Sequence, residues 1–520
     1  MTATDRLERD GFVVAERPTP GLPRPYEFPT VSRAQLDNGL TVLVVDLPGR
    51  PLASASVVLP VGAVDEPDDE GGAAVLAARA LTEGTERYDA VELTEASERL
   101  GASLHAEAGW DATSLSVDVP SARLRPALEL LAEVLLHPTF PESEVERLRD
   151  ERLNDLLQAQ ADPRRRADEA FIDTIYAPDS PYRRPSGGLR ETVEGLDTGG
   201  LRRAYARTTD PSRATLVIAG DLGGQDVVAM AHELLDTWPA PDQPRGGGQI
   251  VDTGAATARR IRVVHRPGAV QTEIRIGHPG VPRRIPDFHA VSVMSAILGG
   301  LFNSRLNMQL REAKGYTYGA GAGFDLRRGA GPFSARAAVN TEVTVPAVLD
   351  TMAELERMRD APVEARELAA ARDFLVGVFP LRFETPGAVA AALTGLAVHG
   401  LPLEELIDYR AHIEVVEIDH VSKAARDHLH LDRAAIVLVG DADAFGADLE
   451  AAGLGTVTTE RDEGPQALGP IPDTDEAAAV VGPADESDEV GPTAGAEDHD
   501  LPGSADEPAA ADSTSDEPGR

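Results

Sequence analysis

Residues 71–85 read GGAAVLAARALTEGT, an alanine-rich segment without proline. Glycines stand at both of its ends, at positions 71, 72 and 84. Because alanine and leucine favour helices and glycine terminates them, this composition predicts a buried helix over the whole segment. The centre of the predicted helix consists of Val75, Leu76, Ala77, Ala78 and Arg79.

The glycine frame around this segment resembles the zinc helix of the pitrilysin/insulinase-type metallopeptidases, which include the mitochondrial processing peptidases and similar bacterial enzymes. Those enzymes carry H-x-x-E-H where this chain has residues 75–79. Val75 and Ala78 have no donor atom for a metal, and the permanently charged Arg79 repels one. The resemblance therefore implies that the scaffold of the zinc site is present and that its ligands are lost.

The third zinc ligand of the family is a glutamate on a later helix. The family spacing places that position at Asp155, and a shift of a few residues would place it at Glu151. Both alternatives stay open. A catalytic zinc takes about three protein ligands, so one carboxylate cannot hold it. We expect no metal or other cofactor on this chain, and the resemblance implies zinc on a partner subunit.

Composition narrows the classes of function. The 520 residues include no cysteine, so disulfides and thiolate sites are excluded. The net charge of −38 argues against nucleic acid and anionic membrane as partners. No basic leader followed by an apolar run opens the chain, and no apolar run approaches about 18 residues. These features predict a cytoplasmic protein.

Three segments recur in the same order at nearly constant spacing. Residues 315–324 match residues 101–110 at an offset of 214, and residues 345–358 match residues 121–136. IVLVGD, at 436–441, matches VIAGD, at 217–221. Three ordered matches predict duplicated α+β domains. The resemblance further implies two mainly antiparallel sheets with helices packed on them, facing each other like a clamshell.

The predicted organisation has five parts. An extended lead-in covers residues 1–30, and the first domain covers 31–238. A linker rich in proline and glycine covers 239–259, and the second domain covers 260–455. Residues 456–520 are predicted to be a disordered acidic tail, because residues 462–520 hold 17 acidic side chains and one basic one.

The second domain carries the strongest functional motif. Leu310, Arg311, Gly315 and Tyr318 match the family pattern L-R-x-x-x-G-x-x-Y. The resemblance implies that Arg311 and Tyr318 reach towards the zinc site and bind the substrate or stabilise the oxyanion. Without that pattern, an arginine at a helix end and a tyrosine packed in a strand would be the simpler interpretation. The glycines at 319, 321 and 323 leave room either for a peptide that adds to the strand edge or for tight packing.

Other motifs give weaker signals. The run from His232 to Asp236 resembles a metal helix, but a surface histidine is the better interpretation. His428, His430 and Asp432 alternate as strand ligands would, without a further ligand in the sequence. Gly299–Gly300 lacks the lysine and serine or threonine of a phosphate-binding loop.

Three hypotheses follow. The first is a non-catalytic, substrate-binding subunit of a heteromeric zinc metalloendopeptidase that cleaves peptides or unfolded proteins, inactive alone and active only with a homologous H-x-x-E-H partner. The second is a non-enzymatic peptide-binding or structural module of the same fold. The third, a hydrolase that uses other residues, has little support because no G-x-S-x-G motif is present.

Overall fold

The computed structural model describes residues 25–241 and 258–462, together with residues 8–9, 12–13, 21 and 256. Most of the predicted lead-in and linker, and residues 463–520 of the predicted tail, lie outside the described residues. We call residues 25–241 the first half and residues 258–462 the second half.

Each half contributes one six-stranded sheet. Ahead of them, the short strands β1 (Glu8–Arg9) and β2 (Phe12–Val13) pair with each other. The first sheet contains β3 (Val31–Gln35), β4 (Thr41–Asp46), β5 (Leu52–Leu59), β6 (Ser103–Ala108), β7 (Thr113–Pro120) and β8 (Thr215–Gly220). The second contains β9 (Arg260–His265), β10 (Gln271–Pro279), β11 (Ala320–Phe324), β12 (Pro332–Asn340), β13 (Ala435–Gly440) and β14 (Thr456–Arg461).

The helices occur in a similar order along the chain in the two halves. The first half has α1 (Ala73–Ala80), α2 (Ala90–Leu100), α3 (Leu124–Leu136), α4 (Glu142–Ala161), α5 (Pro163–Ile175), α6 (Arg190–Val193), α7 (Thr198–Thr208) and α8 (Val227–Leu235). The second half has α9 (Phe288–Ser295), α10 (Thr344–Asp360), α11 (Ala365–Val378), α12 (Pro386–His399), α13 (Glu404–Ile407), α14 (Tyr409–Glu414), α15 (Ile418–His428) and α16 (Ala442–Ala451). Two segments of the second half are wound as π-helices, Ala296–Gly300 and Asn307–Ala313.

Strand order confirms the duplicated α+β fold. The first sheet runs β6-β7-β5-β8-β4-β3, and the second runs β11-β12-β10-β13-β9-β14. Most neighbours are antiparallel, while β4 with β8 and β9 with β13 are parallel at equivalent places. The strands at one edge of the two sheets, β3 and β14, come from different parts of their halves. β3 precedes β4 in the chain, whereas β14 follows every other element of its half.

One face of each sheet packs on helices of its own half. In the first half, apolar residues of α1, α3, α4, α7 and α8 form one core with the sheet. In the second half, α9, α10, α11, α14, α15 and α16 do the same. Each half therefore has the two-layer core that an amphipathic sheet requires.

The opposite face of each sheet is covered by a helix from the other half. Helix α5 of the first half packs on β10 and β13, where Phe171 shares a buried cluster with Val437. Helix α12 of the second half packs on β5 and β8, where Leu393 shares a cluster with Val217. The two halves thus exchange one helix each, and both sheets are covered on both faces.

Two predicted boundaries need correction. The helix predicted over residues 71–85 is shorter, because α1 spans Ala73–Ala80 and the chain then turns so that Gly84 forms a bridge with Asp89. The disorder predicted from residue 456 is wrong for β14, which pairs in parallel with β9. Its threonines and valine suit an edge strand, and the acidic composition of the tail obscured them.

Candidate functional site

Helix α1 is held at its N-terminus by a buried carboxylate. Glu66 accepts hydrogen bonds from the N–H groups of Gly72 (3.0 Å) and Ala74 (2.6 Å). Arg184 completes the site, with its Nη2 atom 2.7 Å from Glu66 Oε2. Burial raises the pKa of Glu66, while Arg184 and the two backbone N–H groups partly offset that effect. The scaffold of the helix is therefore firmly anchored next to the degenerate motif.

Gly72 is required at the start of this helix by its backbone. Its φ is +96°, a left-handed value that residues with a Cβ atom rarely adopt. A Cβ atom at this position would also lie 2.7 Å from the carbonyl oxygen of Gly187. Glycine at position 72 is therefore required both by its backbone conformation and by the nearby Gly187 carbonyl.

The degenerate motif positions carry an ion pair where the family binds metal. Ala78 is buried, Val75 is half-buried, and Arg79 is exposed. Arg79 lies one helical turn after Val75, and its Nη2 atom is 2.8 Å from Glu151 Oε2 on α4. Because these residues offer one carboxylate and a fixed cation, they do not fit a catalytic zinc.

The two alternatives for the third ligand position differ in their neighbours. Glu151 contacts Arg79 and also accepts from Arg147 Nη1 at 2.6 Å. Burial opposes ionisation of Glu151, but its hydrogen bonds with Arg147 and Arg79 outweigh that effect, so its pKa lies below the ordinary value. Asp155 instead pairs with Arg152 and Arg165. Glu151 thus contacts the degenerate motif through Arg79, whereas the ion-pair partners of Asp155 lie on α4 and α5.

Elsewhere in the described residues, a single group of three potential metal ligands lies close together: His265, Asp441 and Asp443. His265 Nδ1 accepts the N–H of Ala442 at 3.0 Å. In the neutral ring the proton therefore lies on Nε2, which leaves no free lone pair for a metal. Asp441 caps α16 through the N–H of Asp443 and accepts from the N–H of Gly268. We interpret the group as structural.

The weaker motifs have ordinary partners. His232 Nδ1 lies 2.9 Å from Asp236 on the same helix, and this hydrogen bond raises the pKa of His232. His428 Nε2 lies 2.8 Å from Asp287, whereas the backbone of His430 donates to the buried His278. The positions 428, 430 and 432 therefore form no ligand set. Gly299 packs against β11, where a Cβ atom would lie 2.1 Å from the Ala322 nitrogen.

Arg311 lies on the surface of the second half, within the π-helix Asn307–Ala313. Its guanidinium carbon lies over the ring of Phe302, 4.5 Å from the ring centroid. Its one ion pair is long, with Nε 3.7 Å from Glu312 Oε1. In the part of the chain that the structure describes, the guanidinium donates no hydrogen bond, so its N–H groups can bind a ligand.

Tyr318 extends from the loop that leads into β11. Its side chain is 95% exposed, the highest value among the large apolar and aromatic side chains of the described residues that stand out from the surface. The following strand is the free edge of the second sheet. The N–H of Ala320 at its start donates to Asn307 Oδ1 at 2.9 Å. By the alternation of an antiparallel ladder, Ala322 and Phe324 direct their backbone groups to the same side as Ala320, away from β12.

A loop from the second half docks on the first half beside α1. This loop, residues 325–331, joins β11 to β12. Arg328 Nη2 lies 2.8 Å from Asp65, immediately before the turn that leads to α1, and the N–H of Arg328 donates to Asp111 at 2.7 Å. The loops that follow the edge strands β6 and β11 therefore contact each other. Sequence reasoning missed this contact because its residues lie far apart in the chain.

Aromatic side chains strengthen the docked loop. The Arg327 guanidinium carbon lies 4.4 Å from the ring centroid of Trp110 and 4.8 Å from that of Tyr182. The Tyr182 hydroxyl accepts the N–H of Gly329 at 3.1 Å. Burial raises the pKa of Tyr182, so this hydroxyl stays protonated. The sequence repeats identified residues 101–110 as part of a duplicated segment, but they gave no role to Trp110.

No helix in the described ranges has the length and apolar character needed to cross a membrane.

Two profiles of known protein families match this chain. A family profile described as "Insulinase (Peptidase family M16)" matches residues 41–181, and one described as "Peptidase M16 inactive domain" matches residues 199–375. The chain belongs to the M16 peptidase family.

Relatives within this family carry different descriptions. An uncharacterized zinc protease of Streptomyces coelicolor is 25% identical over 435 residues, which cover 82% of this chain and 93% of the relative. A non-peptidase homolog of Helicobacter pylori is 23% identical over 368 residues, covering 68% and 81%. The crystal structure of a peptidase M16 inactive domain from Pseudomonas fluorescens matches with a TM-score of 0.74 at 25% identity, covering 79% of this chain and 98% of that one.

Proposed function

We propose that this M16 chain is the non-catalytic, substrate-binding subunit of a two-chain zinc metalloendopeptidase. The observation that supports the proposal best is the Arg79–Glu151 ion pair, which lies in the helix segment where the family carries H-x-x-E-H. A homologous partner with an intact H-x-x-E-H helix would hold the zinc and the general base. The substrates are peptides or unfolded proteins, because a site beside a free strand edge suits an extended chain.

This subunit would contribute Arg311 and Tyr318 to the zinc site of its partner. A guanidinium and a phenol hydroxyl both donate hydrogen bonds, and such donors stabilise the oxyanion that forms when water attacks a peptide carbonyl. Tyr318 is exposed and Arg311 is partly exposed, and the only ion pair that Arg311 makes among the described residues is long, which supports this role. A location in the cytoplasm is part of the same proposal.

The test combines the purified chain with the product of a neighbouring gene that encodes an H-x-x-E-H homologue. We expect the chain alone to contain no zinc and to cleave no peptide, and the pair to cleave. Arg311→Ala or Tyr318→Phe should lower kcat of the pair by about 10²-fold, as removal of an oxyanion donor does. Arg366→Ala, at an exposed arginine paired with Glu364 on the N-terminal side of α11, serves as the control and should leave activity unchanged.

Two results would contradict the proposal. Full activity of the pair with both variants would remove Arg311 and Tyr318 from the reaction. Failure to recover any zinc-bearing partner, together with peptide binding by the chain alone, would instead favour the non-enzymatic module.

A further inference from the structure

The surface around Arg311 combines a guanidinium stacked on an aromatic ring with exposed apolar side chains. Phe302, on which the guanidinium lies, is 68% exposed, although a phenylalanine without a partner is costly to expose. Met308, three residues before Arg311 on the same helix, is also exposed. Lys314, three residues after Arg311, is half-exposed and lies 3.9 Å from Asp350. We call Phe302, Met308, Arg311 and Lys314 the cationic patch.

The stacking of Arg311 on Phe302 limits how the guanidinium can bind. A ring under one face of the guanidinium restrains its plane, and the N–H groups at its edge remain available. A planar fork of N–H donors matches the two oxygens of a carboxylate. The neighbouring Glu312, at 3.7 Å, is too far away to satisfy these donors.

Charge complementarity favours the same ligand. The chain as a whole carries a net charge of −38, which opposes the approach of anions in general. Two cations within one turn of each other, with only long ion pairs, are therefore a local exception. Phe302 and Met308 add an apolar flank that would exclude water from one side of a bound group.

We infer that Phe302 and Arg311 form a carboxylate-binding subsite that selects extended peptides bearing an acidic side chain or a free C-terminal carboxylate. This inference rests on the proposed function, because it names the peptides that the site takes. Phe302 acts as a positioning residue: its ring fixes the guanidinium that contacts the peptide. Lys314 attracts the same anion from one helical turn away.

The test uses four fluorescein-labelled ten-residue peptides and the full-length chain. The peptides share one sequence and differ only in an internal Glu or Gln and in a free or amidated C-terminus. Fluorescence anisotropy gives Kd for each. We expect the peptide that has neither carboxylate to bind at least tenfold more weakly than the tightest peptide, since a hydrogen bond to a charged group is worth about that much. The two single-carboxylate peptides show which source the subsite prefers.

Variants connect the preference to the patch. Phe302→Leu should weaken binding of the preferred peptide by about two- to fivefold, and Phe302→Tyr should restore it, because an aromatic ring supports the guanidinium in either case. Arg311→Lys should weaken the carboxylate preference, because the charge stays while the planar fork of N–H donors is lost. Val415→Ala, which shortens another exposed apolar side chain, is the control and should change nothing.

The outcomes separate the two proposals. If the wild-type chain binds all four peptides with equal Kd, peptide binding stands and the carboxylate subsite is wrong. If it binds none of them, the proposed function fails and the subsite fails with it. If Phe302→Leu binds like the wild type while Arg311→Lys does not, Phe302 has no positioning role.

Discussion

Arg79 lies at a position where the family carries a histidine ligand, and its partner Glu151 suggests how a zinc site could be built. Val75 and Arg79 lie four residues apart on one face of α1, and Arg79 already contacts Glu151. We expect the double variant Val75→His, Arg79→His to bind one zinc through two imidazoles and the Glu151 carboxylate. Zinc content after dialysis, measured by mass spectrometry, checks this expectation.

The same variant decides between the two alternatives for the third ligand. Adding Glu151→Gln should remove the bound zinc, whereas adding Asp155→Asn should leave it, because Asp155 pairs with Arg152 and Arg165. The opposite pattern would assign the third-ligand position to Asp155.

His278 makes the stability of the second half depend on pH. It is fully buried, its Nδ1 lies 2.8 Å from the Pro279 carbonyl oxygen, and its Nε2 accepts from the backbone of His430. Burial lowers the pKa of His278 to about 4, below its ordinary value of 6.5. Between these two pH values the unfolded chain binds a proton that the folded chain does not. Stability therefore falls by about 3 kcal/mol for this group as pH decreases from 6.5 to 4.

Urea unfolding at several pH values tests this dependence. His278→Gln should lose stability at neutral pH and show a shallower decline towards pH 4 than the wild type. His105→Gln, at an exposed histidine of β6, is the matched control and should keep the wild-type decline. Burial also lowers the pKa of His289 to about 4, so part of the decline of stability with pH remains in every variant. Parallel curves for the wild type and His278→Gln would contradict the assignment.

At the scale of elements, α1 depends on a single carboxylate that precedes it. Replacing Glu66 by alanine leaves Arg184 buried without its partner and leaves two helix N–H groups unsatisfied. Loss of one member of a buried ion pair costs about 3–5 kcal/mol. We expect Glu66→Ala to lower the free energy of unfolding by that amount in urea titrations. Asp68→Ala, at an exposed residue of the next turn, should cost less than about 0.5 kcal/mol.

Elements with local signals can be predicted from the sequence. Asn38–Gly39 between apolar runs indicates a hairpin, and the apolar run Thr215–Gly220 indicates a buried strand. Both are present, as is the helix Ala90–Leu100, because turn chemistry and short apolar runs determine them locally. Helices α5 and α12 were not identified, and no local pattern states which sheet an apolar helix face covers. The contact of Arg79 with Glu151 likewise depends on how α1 and α4 pack, 72 residues apart.

At the scale of the whole molecule, the exchanged helices make each half incomplete alone. A first half expressed as residues 1–250 would expose the face of β5 and β8 that α12 covers and the apolar side of α5. We expect either half alone to aggregate or to unfold, and the two halves expressed together to form one soluble complex. Size-exclusion chromatography with circular dichroism measures both outcomes. A monomeric, cooperatively folding first half would show that the exchange is dispensable.

The reciprocal position of α5 and α12 also bears on ancestry. Two identical half-length chains that lent each other one helix would already bury all four sheet faces as a symmetric homodimer. Gene fusion would then have joined two subunits without creating a new interface. Once joined, each copy would be free to diverge, so that the metal-motif positions of one half and the arginine and tyrosine of the other could change independently.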